Sequence, residues 1–213
     1  VQVEKGFRVI HLAAGPELPQ PRKKVIDFVP EFIESLISFV EKEHLHYDII
    51  HAHYYLSGLI ALGVRNYGDG ATPFVITFHT LALMKNLVAR ASWEEESRAR
   101  IEAEFTLIKE ANIVTTPSAS DKQYLMYLYE AAEEKIVEVA PGVNLNLFRP
   151  MNKAAAKSHL GISQTRKTLL FVGRIEPLKG IDMLLYSVKI LKMQFPVSPL
   201  TLLIVGGDIS QHI

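Results

Sequence analysis

Two kinds of apolar segment alternate along the chain. Short runs rich in β-branched residues have apolar side chains on both faces, which is typical of parallel strands covered by helices. Longer segments repeat their apolar residues with helical spacing and therefore predict amphipathic helices. The predicted strands are residues 7–12, 48–51, 74–78, 113–116, 136–139, 168–172 and 200–205. The predicted helices are residues 30–43, 94–109, 118–130 and 181–195.

The order of these segments predicts an α/β protein with Rossmann-like, doubly wound parallel sheets. The stretch PGVNLNLFRPMN at 141–152 is rich in proline and asparagine and predicts a hinge. We expect one domain over 1–148 and the start of a second over 149–213, because one βαβ unit cannot bury both of its faces. The first predicted strand lacks a preceding βα unit, and the chain opens without methionine. We therefore interpret the chain as an internal piece of a larger protein.

Composition and charge narrow the classes of function. Hydrophobic residues make up 48% and charged residues 22% of the chain, as in globular proteins and unlike disordered or fibrous ones. Lys plus Arg and Asp plus Glu both number 23, so the zero net charge argues against a nucleic-acid partner. No apolar run reaches the roughly 18 residues of a transmembrane helix. The absence of cysteine excludes thiolate catalysis and cysteine-bound zinc, and we expect a cytoplasmic protein.

Two predicted strand ends carry polar rings and hydroxyls, and ligands collect at strand ends in open α/β sheets. The first is HAHYYLSG at 51–58, in which His51 and His53 share one face of an extended segment. The second is TFHTL at 77–81, and its His79 lies near the first if the two strands are neighbours. Three interpretations stay open: structural histidines, a small-molecule site, or a metal site of a hydrolase that uses all three rings.

Charged residues form two further candidates. Arg100 and Glu104 are four apart on a predicted helix, and a surface ion pair is the plainer interpretation. The stretch VGRIEPLKG at 172–180 lies between a strand and a helix. Its Arg174 suits a bidentate grip on phosphate oxygens, and Lys179 adds a second cation beside a helix N-terminus. This stretch predicts a diphosphate site, with an ordinary basic loop as the alternative.

Five stretches together resemble the retaining GT-B glycosyltransferases of family 4, the group that includes sucrose-phosphate synthases and inositol-phosphate glycosyltransferases. The stretches are DIIHAHYYLSG at 48–58, FHTLALMKN at 78–86, ARIEAE at 99–104, VAPGVNLNLF at 139–148 and VGRIEPLKG at 172–180. Their order and spacing cover nearly the whole chain. The resemblance implies a GT-B fold, with an acceptor-side N-terminal domain whose first strand precedes residue 1 and a nucleotide-sugar-binding domain that continues beyond residue 213.

The resemblance also assigns roles on the donor side. His79 matches the family's active-site histidine near the donor sugar. The positions that match the donor-diphosphate site are Gly173, Arg174, Lys179 and Gly180. Of these, Arg174 and Lys179 are expected to act in catalysis, because they stabilise the negative charge that grows on the leaving oxygen.

On the acceptor side, four positions match the phosphate-holding residues of the inositol-phosphate relatives. They are Tyr54, Thr80, Arg100 and an early lysine, for which Lys24 is the better match. The resemblance thus implies a hexosyltransferase-type enzyme that moves a sugar from a nucleotide-diphosphate sugar to a small phosphorylated sugar or polyol, with retention of configuration. It implies no metal and no cofactor apart from the nucleotide sugar as co-substrate. We expect the 213 residues alone to be inactive; the alternative is a noncatalytic domain that only binds an anionic sugar.

Overall fold

The structure is a computed structural model, and it describes residues 2–176, 179–196 and 198–207. Contacts divide the chain into two compact units, Val1–Pro141 and Gly142–Ile213. The division falls at the beginning of the proline- and asparagine-rich stretch.

The first unit contains a four-stranded parallel sheet whose strands follow in chain order, as in one half of a doubly wound sheet. Its strands are β3 (Ile50–His53), β4 (Phe74–Thr77), β5 (Ile113–Thr116) and β6 (Ile136–Glu138). His53 pairs with Thr77 at the ends of β3 and β4, and Thr77 pairs with Thr115 on β5. The carboxyl ends of these strands therefore form one edge, which is where the predicted site residues begin.

Helices connect these strands and cover the sheet. They are α1 (Val29–Lys42), α2 (Tyr54–Tyr67), α3 (Ala82–Asn86), α4 (Arg98–Glu110) and α5 (Ala119–Tyr129). Helix α2 packs against β3, β4, α1 and α4. Ser118 caps α5 by accepting a hydrogen bond from the backbone N–H of Asp121 at 3.2 Å, and serine is among the residues preferred at this position.

The core of the first unit lies where α2 and α4 meet β4 and β5. Phe74, Ile76, Leu107 and Val114 are completely buried there. A Cβ atom on Gly58 of α2 would come within 2.7 Å of side-chain atoms on both Ile76 and Leu107. Glycine at this position lets α2 approach the sheet closely, and this approach sets the position of the first turn of α2 at the sheet edge.

The strand predicted at 7–12 is wrong in extent and in partner. Only β2 (Phe7–Arg8) is a strand, and it pairs antiparallel with β1 (Gln2–Glu4) in a separate two-stranded sheet. Val9 and Ile10, which the pattern assigned to a covered strand, are each 37% exposed. An apolar run predicts burial only if a neighbouring strand and a covering helix are present, and the run itself cannot specify them.

The helix predicted at 94–109 begins later than expected. A 3₁₀ turn, Ser92–Glu94, precedes it, and α4 starts at Arg98 with Ser97 as its cap. Ile101, Phe105 and Ile108 follow one another with helical spacing on α4, but only Ile108 among them is buried. Phe105 is 39% exposed, whereas Arg100, Glu104 and Leu107 are buried.

The second unit has one βαβ arrangement after a short helix. Its elements are α6 (Lys153–His159), β7 (Lys167–Val172), α7 (Ile181–Gln194) and β8 (Leu200–Val205). Strands β7 and β8 are parallel along their whole length. Leu170 and Val172 of β7 are 62% and 69% exposed, which agrees with the expectation that a single βαβ unit leaves one face uncovered.

Candidate functional site

Histidines and threonines form a hydrogen-bonded group at the carboxyl edge of the first sheet. His51 Nε2 lies 2.8 Å from Thr77 Oγ1, and that hydroxyl also hydrogen-bonds to Thr115 Oγ1. The ring of His53 stacks on the ring of His51, with 4.5 Å between their centroids. Three neighbouring strands thus contribute to one polar edge, as the sequence predicts for adjacent strand ends.

His79 lies beside this group, as expected from neighbouring strands. Its Nε2 is 3.1 Å from Nδ1 of His53, and the two rings stack with 5.2 Å between their centroids. One nitrogen of this pair must donate and the other accept, so the contact requires at least one imidazole N–H directed along it. Desolvation, followed by the nearby His53, lowers the pKa of His51 and favours its neutral form.

The alternative of a histidine-bound metal finds no matching geometry in the described residues. No group of three or more His, Cys, Asp or Glu side chains within them is arranged to hold a metal ion. His53 and His79 instead direct ring nitrogens at each other.

Arg100 and Glu104 do not form the surface ion pair that is the plainer interpretation of their spacing. Their side chains are 2% and 0% exposed, and Arg100 Nε donates to Glu104 Oε1 at 2.8 Å. Burial opposes the charge of Arg100, but the carboxylates of Glu104 and Glu96 outweigh it and raise the arginine pKa above its ordinary value. Arg98 and Glu102, each two residues before its counterpart in the buried pair, form an exposed ion pair on the same helix.

Arg100 collects two of the other predicted acceptor residues around its guanidinium group. Nη2 donates to the carbonyl oxygen of Thr80 at 2.9 Å and lies 3.4 Å from the Thr80 hydroxyl. The guanidinium carbon is 5.0 Å from the ring centroids of both Tyr54 and Tyr55, within cation–π range. Three residues from three motifs that are distant in sequence therefore meet at one point.

Tyr54 adopts a backbone conformation that non-glycine residues rarely use. Its φ is +76°, at the junction where β3 ends and α2 begins. Such a conformation costs about 1–3 kcal/mol and persists where the surroundings enforce it, often at functional sites. The strained junction turns the chain sharply at the sheet edge, beside the Arg100 guanidinium.

The sequence indicated Glu104 only as the partner of Arg100 and gave no sign of its further hydrogen bonds or of Tyr129. Glu104 Oε2 accepts from the backbone N–H of Ala82 at 2.8 Å and from the hydroxyl of Tyr129. The same hydroxyl accepts from the N–H of Leu83 at 3.0 Å. Burial and the bond to Glu104 raise the pKa of Tyr129, which keeps its hydroxyl protonated. Glu104 thereby links α3, α4 and α5, and no local pattern could have identified this long-range role.

The early lysines lie in the 3₁₀ segment Arg22–Phe28, and both are exposed. Lys24 was the predicted acceptor residue, yet Lys23 is the one of the two that lines a cavity of about 570 Å³. Tyr55 and Glu96, which contact Arg100, line the same cavity. Lys23 therefore shares a cavity with two residues that contact Arg100, and the assignment of Lys24 stays a prediction.

The predicted donor residues lie in the second unit, after β7 and before α7. Gly173 donates its N–H to Val205 O at 3.0 Å, which joins the ends of β7 and β8. Arg174 is exposed and its Nη2 lies 3.0 Å from Glu176 Oε1. Lys179 is exposed, and Gly180, with φ of +65°, is the N-cap of α7. Residues 177 and 178 of this stretch lie outside the described residues.

These motifs, in this order on an α/β fold, identify the family to which the chain belongs. The chain belongs to Glycosyltransferase Family 4, which it matches over residues 2–147. It is 33% identical over 210 residues to D-inositol 3-phosphate glycosyltransferase of Corynebacterium diphtheriae, covering 97% of this chain and 49% of that protein. It is 35% identical over 211 residues to the protein of the same name from Thermobispora bispora, with coverage of 97% and 49%. The chain thus spans about half the length of these curated relatives.

Solved structures agree with the α/β class predicted from the sequence. The chain is similar to Anabaena HepE in complex with UDP and glucose, with a TM-score of 0.60 and 16% identity over 90% of this chain and 47% of that one. It is also similar to the catalytic domain of Arabidopsis thaliana starch synthase IV bound to ADP and acarbose, with a TM-score of 0.57 and 16% identity over 89% and 48%. At this identity the similarity shows the fold, and it confirms the predicted GT-B class.

Within the part of the chain that the structure describes, no helix is long and apolar enough to cross a membrane.

Proposed function

We propose that the complete protein containing this chain transfers a sugar from a nucleotide-diphosphate sugar to a small phosphorylated sugar or polyol, with retention of configuration. The observation that carries the proposal is the buried Arg100, whose guanidinium lies against Thr80 and the rings of Tyr54 and Tyr55. A buried cation beside hydroxyl groups suits an anionic, hydroxyl-bearing acceptor. Relatives named D-inositol 3-phosphate glycosyltransferase support the same class of acceptor.

The second unit supplies the proposed donor residues. When the bond between the anomeric carbon and the diphosphate oxygen breaks, the diphosphate leaves with the electron pair. Arg174 and Lys179 stabilise the charge that develops on it, together with backbone amides at the start of α7. The side chain of Arg174 is 73% exposed and its ion-pair partner is Glu176, so diphosphate binding exchanges this carboxylate for a diphosphate oxygen.

The acceptor hydroxyl oxygen then bonds to the anomeric carbon on the face from which the diphosphate left, and its proton passes to the departing diphosphate. Retention follows from attack on that same face. His79 lies beside the reacting sugar in this proposal, and its hydrogen bond to His53 at 3.1 Å holds its ring in one orientation. The chemistry needs no metal or redox cofactor, because the leaving group supplies the base.

The experiment compares a phosphorylated acceptor with its dephosphorylated form in the complete protein, using a panel of nucleotide sugars. We expect strong preference for the phosphorylated acceptor, and loss of most of that preference in Arg100→Lys. The matched control is Arg98→Lys, an exposed arginine on the same helix. Because Arg100 is buried and its variant risks misfolding, the preference of the unmodified protein decides the case: equal use of both acceptors contradicts the proposal.

The donor assignment is tested separately. Arg174→Ala and Lys179→Ala are each expected to reduce transfer about 10²–10³-fold, the effect of removing one preorganised donor to a developing oxyanion. Lys189→Ala, an exposed lysine farther along α7, is the control. Near-normal turnover in both variants contradicts the assignment. Binding of a nucleotide sugar without any transfer would favour the noncatalytic alternative instead.

A further inference from the structure

Two cations and two carboxylates form a compact cluster beside the proposed acceptor residues. Lys85 Nζ of α3 and Arg100 Nη1 of α4 both contact the same atom, Oε1 of Glu96, the second at 2.9 Å. The other carboxylate, Glu104, binds the guanidinium through Nε. Arg100 Nη1 is buried, and its contact with Glu96 lacks hydrogen-bond geometry. Cations from two helices therefore hold one carboxylate oxygen, Oε1 of Glu96. One of these cations, Arg100, has a buried nitrogen, Nη1, without a hydrogen bond of good geometry.

The two carboxylates are held in different ways. Glu104 lies within a helix, is completely buried and accepts from Ala82 N and Tyr129 OH as well as from Arg100. Glu96 lies in the loop before α4, and its side chain is 14% exposed. Its segment lines the cavity of about 570 Å³, so Glu96 is the carboxylate that a ligand in this cavity reaches. Glu104 joins three helices through its hydrogen bonds, whereas Glu96 lies in a loop and is anchored there by the hydrogen bond from its backbone N–H to Asn86 Oδ1 at 2.8 Å.

We propose that Lys85 and Arg100 together form the anion subsite for the acceptor phosphate, and that Glu96 occupies this subsite until phosphate displaces it. The inference rests on the proposed function and adds Lys85 as a specificity-determining residue with Glu96 as its internal competitor. A phosphate group carries about −1.5 to −2 charge and three acceptor oxygens, against one charge for a carboxylate. It can therefore satisfy both Lys85 and the poorly aligned Nη1 of Arg100.

The displacement has to involve the whole loop. Glu94 and Glu95 line the cavity next to Glu96, so an anion approaching the loop as it stands meets three carboxylates and one lysine, Lys23. Departure of Glu96 alone would take from Lys85 the carboxylate that it contacts and would leave Arg100 paired with Glu104, which is costly for partly buried ions. Exchange for phosphate restores the balance, and it moves the segment that carries the acidic run.

The loop also carries its own reporter. Trp93 is the single tryptophan of the chain, lies three residues before Glu96 and is 80% exposed. We expect titration of the 213-residue chain with inorganic phosphate to change Trp93 fluorescence in a saturable way. Lys85→Met should weaken binding about tenfold to a hundredfold, the equivalent of one charge-assisted hydrogen bond. Lys85→Arg should retain most of it, and Glu96→Gln should tighten it several-fold because the competing charge is gone.

Arg98→Met is the matched control and should bind phosphate like the unmodified chain, because Arg98 is an exposed cation on the same helix. Circular dichroism checks that each variant is folded; if Lys85→Met is not, Lys85→Arg and Glu96→Gln still decide the matter. Unchanged binding in folded Lys85→Met, weaker binding in Glu96→Gln, or no response of the unmodified chain to phosphate would overturn the inference.

A second assay separates this inference from the proposed function. In the complete protein, Lys85→Met should raise the KM for a phosphorylated acceptor and leave the KM for its dephosphorylated form unchanged. If the unmodified protein prefers the phosphorylated acceptor and Lys85→Met keeps that preference, the proposed function stands and the role of Lys85 is wrong. If the unmodified protein has no preference, the proposed function itself fails.

Discussion

The buried Glu104 carboxylate offers a direct test of how the first unit is held together. It accepts hydrogen bonds from Arg100 Nε, the Ala82 backbone N–H and the Tyr129 hydroxyl, and its side chain has no exposed surface. Glu104→Gln keeps the shape but replaces one oxygen with an NH₂ group. That group cannot accept, so at least one buried donor loses its partner and Arg100 loses a counter-charge.

The expected loss is large on the scale of single substitutions. Breaking a buried pair by removing one partner costs about 3–5 kcal/mol, because the other charge stays buried without compensation. With a denaturant slope of about 2 kcal/mol per molar, the urea midpoint should fall by about 1.5–2.5 M. Trp93 fluorescence follows the first unit specifically, since the only tryptophan of the chain belongs to it.

The control lies two residues away on the same helix. Glu102→Gln breaks the pair with Arg98, which has the same i,i+4 spacing but side chains that are 62% and 91% exposed. An exposed helical pair contributes about 0.3–0.5 kcal/mol, so its midpoint should barely move. If the two variants unfold at the same urea concentration, burial of the Arg100–Glu104 pair does not have the energetic consequence assigned to it here.

Two further predictions concern the packing of α2 and the strand-end histidines. Gly58→Ala should destabilise the first unit by about 1–3 kcal/mol through overpacking, because its Cβ would lie 2.7 Å from side chains of β4 and α4. The control is Gly68→Ala at the end of the same helix, whose Cβ would meet nothing closer than 3.6 Å. It should leave the midpoint of a thermal melt nearly unchanged. Folding lowers the pKa of His51 below its ordinary value of 6.5, so at pH values just below 6.5 the unfolded chain binds more protons than the folded one. The free energy of unfolding should therefore fall as the pH drops below 6.5 and stay constant above it. His51→Asn should show a smaller loss over the same range, and parallel stability curves for the two proteins would contradict the cause given for the pKa.

The linear pattern was sufficient for the parts of this protein that depend on local chemistry. Strands β4, β5, β7 and β8 follow from β-branched runs with apolar side chains on both faces, and the start of α5 follows from Ser118 and its hydrogen bond to Asp121. The five motifs and their order were enough to indicate the family. Adjacent strand ends also predicted that His79 lies beside His53, because parallel strands end at one edge.

The environment of each charge depended on contacts between elements far apart in sequence. Arg98–Glu102 and Arg100–Glu104 have identical spacing on α4, yet one pair is exposed and the other buried. Two residues along a helix turn a side chain by about 200°, so the pairs point in nearly opposite directions, and only the packing of α4 against α2, α3 and β4 determines which of them faces the core.

The same reason accounts for the strand predicted at 7–12. A strand forms where its backbone hydrogen-bonds to the backbone of a neighbouring strand, and β2 pairs with β1 and not with a strand of the parallel sheet. Contacts between distant elements also distinguish Glu96, which in the sequence is one of three consecutive glutamates. Its contact with both Lys85 and Arg100 arises because α3 and α4 fold against each other and bring two cations to a single carboxylate oxygen.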